Sequence, residues 1–131
     1  MVRDGRDVAV VVPTRRAADG SKVLALPKGH PDGDESPEEA AAREVREEAG
    51  VRGDLVDKLG DVRYWYQRGG RRIQKVVAFF LFEYRSGNIA DHDHEIEEAR
   101  WIPLESAMSE LSHRGEREMV ERALSRLAAD R

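Results

Sequence analysis

Residues 36–50 read SPEEAAAREVREEAG, and both ends of the element they form are written into that stretch. Ser36 ahead of Pro37, with Glu39 three places after the serine, combines an N-cap, a first-turn proline and a capping box. Gly50 supplies a left-handed stop, so the chain is predicted helical over Pro37 to Ala49. The flanks read as strands. Val8 to Val12 is an aliphatic run ended by Pro13, and Lys22 to Leu26 alternates before Pro27, with a polar loop containing Asp19-Gly20 between them. Leu55 to Gln67 and Arg71 to Tyr84 are rich in β-formers and are separated by Arg68-Gly69-Gly70, which predicts a hairpin. Its second arm holds VVAFFLF, apolar on both faces as a strand inside a sheet must be. A short strand at Ala99 to Ile102, closed by Pro103, precedes helices over Leu104 to Leu111 and Glu116 to Ala128. In the last helix Met119, Val120, Ala123, Leu124 and Leu127 recur at helical spacing and are expected to pack in a core. This order predicts an α/β (α+β) fold, a mixed sheet covered on both faces, in one domain spanning residues 1–131.

Within that helix the charge pattern is costly. With Glu44 taken as zero, Glu47 lies about 60° to one side and Glu48 about 40° to the other, while Ala41, Val45, Ala49 and Ala42 form the apolar seam. Glu44 and Glu48 are a like-charge pair four residues apart, mildly destabilising unless a cation compensates. One reading is a solvated acidic face in which Arg43 pairs with Glu47. The other is a set of hard oxygen ligands for Mg²⁺ or Mn²⁺, since the chain has no cysteine to offer softer donors.

Composition narrows the alternatives. The residues are 40% hydrophobic and 37% charged, with a net charge of −4, which gives no global attraction to duplex nucleic acid or an anionic membrane. Zero cysteines exclude a disulfide framework and a thiol nucleophile. The opening MVRDGRDVAVVV has too short an apolar run for a signal peptide, and no stretch is long enough to span a bilayer, so a cytoplasmic location is expected.

The spacing around the helix carries a family resemblance. Gly29, five residues, Glu35, seven residues, then Arg43-Glu44-Val45-Arg46-Glu47-Glu48-Ala49-Gly50-Val51 matches every specified position of the Nudix box over residues 29–51. LPKGH before the box, VRYWYQRGGRRIQKVVAFFLFEY after it and HEIEEARWIPLESAMSELSHRGEREMVERAL near the end resemble bacterial diadenosine polyphosphate hydrolases of that family. The glycine usually found directly before the first box glutamate stands one place earlier, at Gly33, and DVAVVV replaces a glycine pair common in the first strand.

The resemblance implies a Nudix-type α/β/α sandwich that hydrolyses a nucleoside polyphosphate, diadenosine tetraphosphate or a related dinucleoside polyphosphate, with Mg²⁺ (or Mn²⁺). It implies Glu44, Glu47, Glu48, the Gly29 carbonyl and Glu95 as metal ligands, with Glu97 and Glu98 behind Glu95. It makes Glu48 or Glu44 the base, leaving open a carboxylate outside the box, and makes Arg43 and Glu35 the pair that braces helix to loop. Phosphate needs cations opposite the acidic helix: Lys28, His30, Arg63 and Lys75 are candidates, and Tyr64 and Tyr66, on one face of a strand, are candidates to stack a base. The polar runs carry plainer readings too: DHDHE at 91–95 as a solvated loop, Arg68, Arg71 and Arg72 as a soluble hairpin tip, His113 as a capping residue. Alternatives to the dinucleotide substrate are a nucleoside triphosphate, an RNA 5′ end or an inositol pyrophosphate, and a non-catalytic nucleotide sensor. A monomer or homodimer is expected.

Overall fold

The computed structural model of the chain describes residues 1–130. Five strands form one sheet: β1 (Val2–Arg3), β2 (Asp7–Pro13), β3 (Val51–Arg68), β4 (Arg71–Gly87) and β5 (Ile96–Pro103), in the spatial order β3-β4-β1-β2-β5. All neighbours are antiparallel except β1 and β4, so the sheet is mixed. Helix α1 (Pro37–Ala49) lies on one face; α2 (Leu104–Glu110) and α3 (Arg114–Ala129) lie on the other.

Two-sided burial is what the aliphatic runs dictate. Val8 and Val10 of β2 and Val77, Phe79 and Leu81 of β4 join Met119, Val120 and Ala123 of α3 in one core. Alternate residues Ala9, Val11, Phe80 and Phe82 pack with Val45 and Ala49 of α1 in a second. Burying each large side chain stabilises the fold by about 1.5–3 kcal/mol, and β4 places such residues on both sides of the sheet.

The capping signals act as read. Ser36 accepts from the Glu39 N–H while Glu39 accepts from that of Ser36, both at 3.2 Å, and Gly50 (φ 70°) donates to Arg46. The β3–β4 turn is two residues long, with Gly69 and Gly70 both at positive φ, matching the twist of a tight hairpin.

Several details differ from the sequence expectation. Lys22–Leu26 is not a strand: only Ala25 bridges to Val11, because Pro27 and a loop returning to α1 prevent further pairing. β3 begins at Val51, directly after the helix stop, and β5 runs longer than Ala99–Ile102. α3 starts at Arg114 with His113 as its cap. On α1, Ala40 is buried and Ala42 exposed: Ala40 borders a depression that it shares with Pro31 and Pro37 and with Val77 and Ala78 of β4, so the packed face is displaced from the Ala42 side.

Candidate functional site

A cleft of about 780 Å³ opens where the end of β2, the loop leaving Ala25, and the projecting arm of the β3–β4 hairpin meet. Lys28, Gly29, Glu48, Tyr64, Tyr66, Lys75 and Glu95 line it. These seven sequence candidates are scattered over nearly seventy residues and become neighbours only through the fold. Tyr64 sits directly opposite Lys75 in the hairpin register, so both project from the same face. Arg63 and Trp65 alternate to the other face, and Arg63 is not part of the cleft wall. His30 lines a separate depression beside Pro37 and Ala40; burial and the nearby Lys75 charge lower its pKa.

Next to the cleft the acidic helix is organised by Arg43. Its guanidinium grips Glu35 through two bonds (2.8 and 3.1 Å), donates to the His30 carbonyl at 3.0 Å, and reaches Glu44 at 2.8 Å and Glu47 at 3.1 Å. One planar cation thus ties the 29–35 loop to two successive turns of α1. These bonds raise the Arg43 pKa, Glu35 contributing most, and Arg43 in turn holds Glu35 below the usual carboxylate range.

Glu48 faces a different environment. Its carboxylate is largely buried, accepts from the Lys28 backbone N–H at 3.3 Å and adjoins Glu44. Burial first, then the hydrogen bond with Glu44 and its charge, push its pKa up to about 8. Gly29 packs so closely on Glu44 that a Cβ there would overlap the carboxylate. As the side chains stand, no three acidic or histidine residues converge on one point among the described residues: Glu47 is held by Arg43 while Glu44 and Glu48 adjoin. Two carboxylates crowded together beside a bare backbone, one short of counter-charge, form a donor set suited to a hard divalent cation.

The 91–95 loop is fastened at the end of α1, where Asp93 N–H donates to the Glu47 carbonyl, and the Glu95 carbonyl accepts from Thr14. Glu95 thereby reaches the cleft rim. Glu97 pairs with Arg16 and Lys22, Glu98 with Arg100, and neither lines the cleft. His92 bonds within its own loop. At the hairpin tip Arg72 stacks on Trp65, 4.2 Å from the ring centroid.

Residues that sequence reasoning missed also stand here. Pro13, Thr14 and Arg15 line the cleft beyond β2. Glu116 is 1% exposed and bonds Tyr64, Lys28 and the Leu26 N–H. A signal existed for Glu116: it precedes Met119 and Val120 by three and four residues, placing a carboxylate on the apolar side of α3.

Comparison with known proteins agrees with this architecture. The NUDIX domain family matches residues 1–123. MutT4 of Mycobacterium tuberculosis is 36% identical over 119 residues, covering 91% of this chain and 47% of that protein. The 8-oxo-(d)GTP phosphatase of Mycolicibacterium smegmatis is 33% identical over 101 residues, 77% of this chain and 30% of that protein. The chain therefore spans less than half the length of these two curated relatives. The MutT NUDIX hydrolase of Burkholderia pseudomallei superposes with a TM-score of 0.70 at 25% identity, over 93% of this chain and 91% of the other. With its box, its mixed sheet between helices and a family match across nearly its whole length, the chain belongs to the Nudix family.

Proposed function

We propose that residues 1–131 form one catalytic unit that hydrolyses a diphosphate bond in a nucleoside polyphosphate with Mg²⁺ (or Mn²⁺), with diadenosine tetraphosphate or a related dinucleoside polyphosphate as the first substrate to test. The single observation that carries this reading is the placement of the Glu44–Glu48 carboxylate pair, against Gly29, at the edge of a cleft also lined by Lys28 and Lys75. Glu44, Glu47, Glu48, the Gly29 carbonyl and Glu95 are the residues that would hold the metal. A bound divalent ion supplies a lowered water pKa and charge neutralisation at phosphorus.

The chain's own residues supply the rest. Lys28 and Lys75 offer cations to phosphate oxygens. Tyr66, 40% exposed, offers an aromatic face to a base, and Tyr64 forms the wall beside Lys28. Glu48, with Glu44 as the second candidate, accepts the proton of the attacking water. Arg43 and Glu35 position Glu44 and Glu47 without touching substrate.

A second reading, a nucleoside triphosphate carrying an oxidised guanine, is favoured by the likeness to the 8-oxo-(d)GTP phosphatase of M. smegmatis. The decisive experiment incubates the protein and Mg²⁺ with diadenosine tetraphosphate, 8-oxo-dGTP, GTP, an RNA 5′-triphosphate and an inositol pyrophosphate, and identifies products in ¹⁸O-labelled water. Hydrolysis that stops on chelation supports the family reading, and the preferred compound decides between the substrates. Tight nucleotide binding without turnover of any of them would make the chain a sensor and overturn the proposal.

A further inference from the structure

Glu116 is the one buried charged side chain among the described residues, and its position is defined by three donors. Oε1 accepts from the Leu26 backbone N–H at 2.7 Å; Oε2 accepts from the Tyr64 hydroxyl at 2.8 Å and faces Lys28 Nζ at 3.2 Å. An ionised carboxylate is acceptor-only and matches this set, whereas an amide has a single acceptor oxygen and would turn its NH₂ toward a donor. Lys28 and Tyr64 are cleft residues, and the Lys28 ammonium lies 5.4 Å from the Tyr64 ring centroid. Leu26 opens the three-residue path to Gly29, so the same carboxylate also anchors the segment that carries Gly29 and the Lys28 N–H bonded to Glu48. His113, the cap of α3, also packs against Tyr64, at 4.5 Å between ring centroids.

We infer that Glu116 is a positioning residue for substrate binding: from α3, outside the Nudix box, it holds Lys28 and Tyr64 jointly in the wall of the cleft. An exposed lysine pairs weakly and samples many rotamers. One tethered to a buried carboxylate meets a phosphate chain already placed, which lowers the ordering cost of binding. The role rests on the hydrolase reading above for its consequence in catalysis, but the tether itself can be read without turnover.

The test compares Glu116→Gln, Lys28→Met, the double variant and Tyr64→Phe. Against whichever dinucleoside polyphosphate or nucleoside triphosphate the wild type turns over, Glu116→Gln is expected to raise KM about tenfold and leave kcat within about twofold. In the Lys28→Met background the same change is expected to add little, because its main route is already removed. The ¹⁵Nζ resonance of Lys28, sharp in wild type, is expected to broaden in Glu116→Gln. Additive effects of Glu116→Gln and Lys28→Met on KM, or an unchanged Lys28 resonance, would overturn the inference. If Glu116→Gln does not fold, Lys28→Met and Tyr64→Phe decide: sharing Oε2, they are expected to be non-additive in KM, and additivity overturns the role. A wild type without turnover on any compound defeats the hydrolase reading alone, and the Lys28 resonance still tests the tether.

Discussion

Arg43 and Glu48 divide the work of the acidic helix between them. Arg43 already answers the charge of Glu44 and Glu47, so part of the compensation that the Glu-rich sequence requires is internal to the chain. Glu48 is left with little but a backbone N–H, and its carboxyl is pushed up to about 8. The sign of the consequence follows from linkage. A carboxyl whose folded pKa exceeds its unfolded value binds more protons in the native state between the two. Stability of the metal-free protein is therefore expected to fall as pH rises from the ordinary glutamate range through about 8. Thermal melts across that window check this, and Mg²⁺ is expected to stabilise more at its alkaline end. Glu48→Gln should flatten the dependence and lower kcat by about 10²–10⁴-fold if Glu48 takes the proton of water. Arg43→Lys keeps the charge but loses the fork that grips Glu35, and is expected to weaken activity through misplaced Glu44 and Glu47 rather than unfold the protein. A melt and a kcat measurement on the same sample separate the two effects.

At the level of elements, the caps and turns carry their own predictions. Gly50 sits at φ 70°, and a Cβ there would run into the Asn88 carbonyl, so Gly50→Ala combines strain with overlap. It is expected to cost more than the ~1 kcal/mol typical of an incompatible backbone substitution. Ser36→Ala, which removes half of the capping box, is expected to cost about 1 kcal/mol. Chemical denaturation measures both. The helix was legible from sequence because Ser36, Pro37, Glu39 and Gly50 are local signals that need no tertiary context. Lys22–Leu26 was not, since alternation alone cannot tell that Pro27 and the returning loop leave only Ala25 able to pair with β2. The early start of β3 escaped for a related reason: Gly53 and Asp54 are poor strand formers, and their pairing with the far end of β4 holds them in the sheet.

At the largest scale, the described residues form a sheet covered on both faces, with the candidate cleft opening beside the end of β2. Leu81 sits in the middle of β4 with 2% exposure, and Leu81→Ala is expected to cost about 2–5 kcal/mol by leaving a cavity where the strand meets α3. The box motif singled out the acidic helix as a candidate site from sequence alone. The cleft was readable only in pieces, because Lys28, Tyr64, Lys75 and Glu95 approach one another through sheet register and loop path. Arg63 and His30 were selected for charge and sequence proximity; alternation along β3 takes Arg63 out of the cleft wall, and His30 lines the depression beside Pro37 and Ala40 instead. Glu116 lay furthest from view, on a helix whose periodicity points to packing. The proposed function requires the oxygens of Glu44 and Glu48 to receive a divalent ion at the cleft edge. A crystal soaked in Mn²⁺, with the anomalous signal mapped, tests it most directly. A peak on those two carboxylates beside Gly29 is expected; a peak elsewhere, with Glu44 and Glu48 bare while the protein turns over its substrate, would rule that site out.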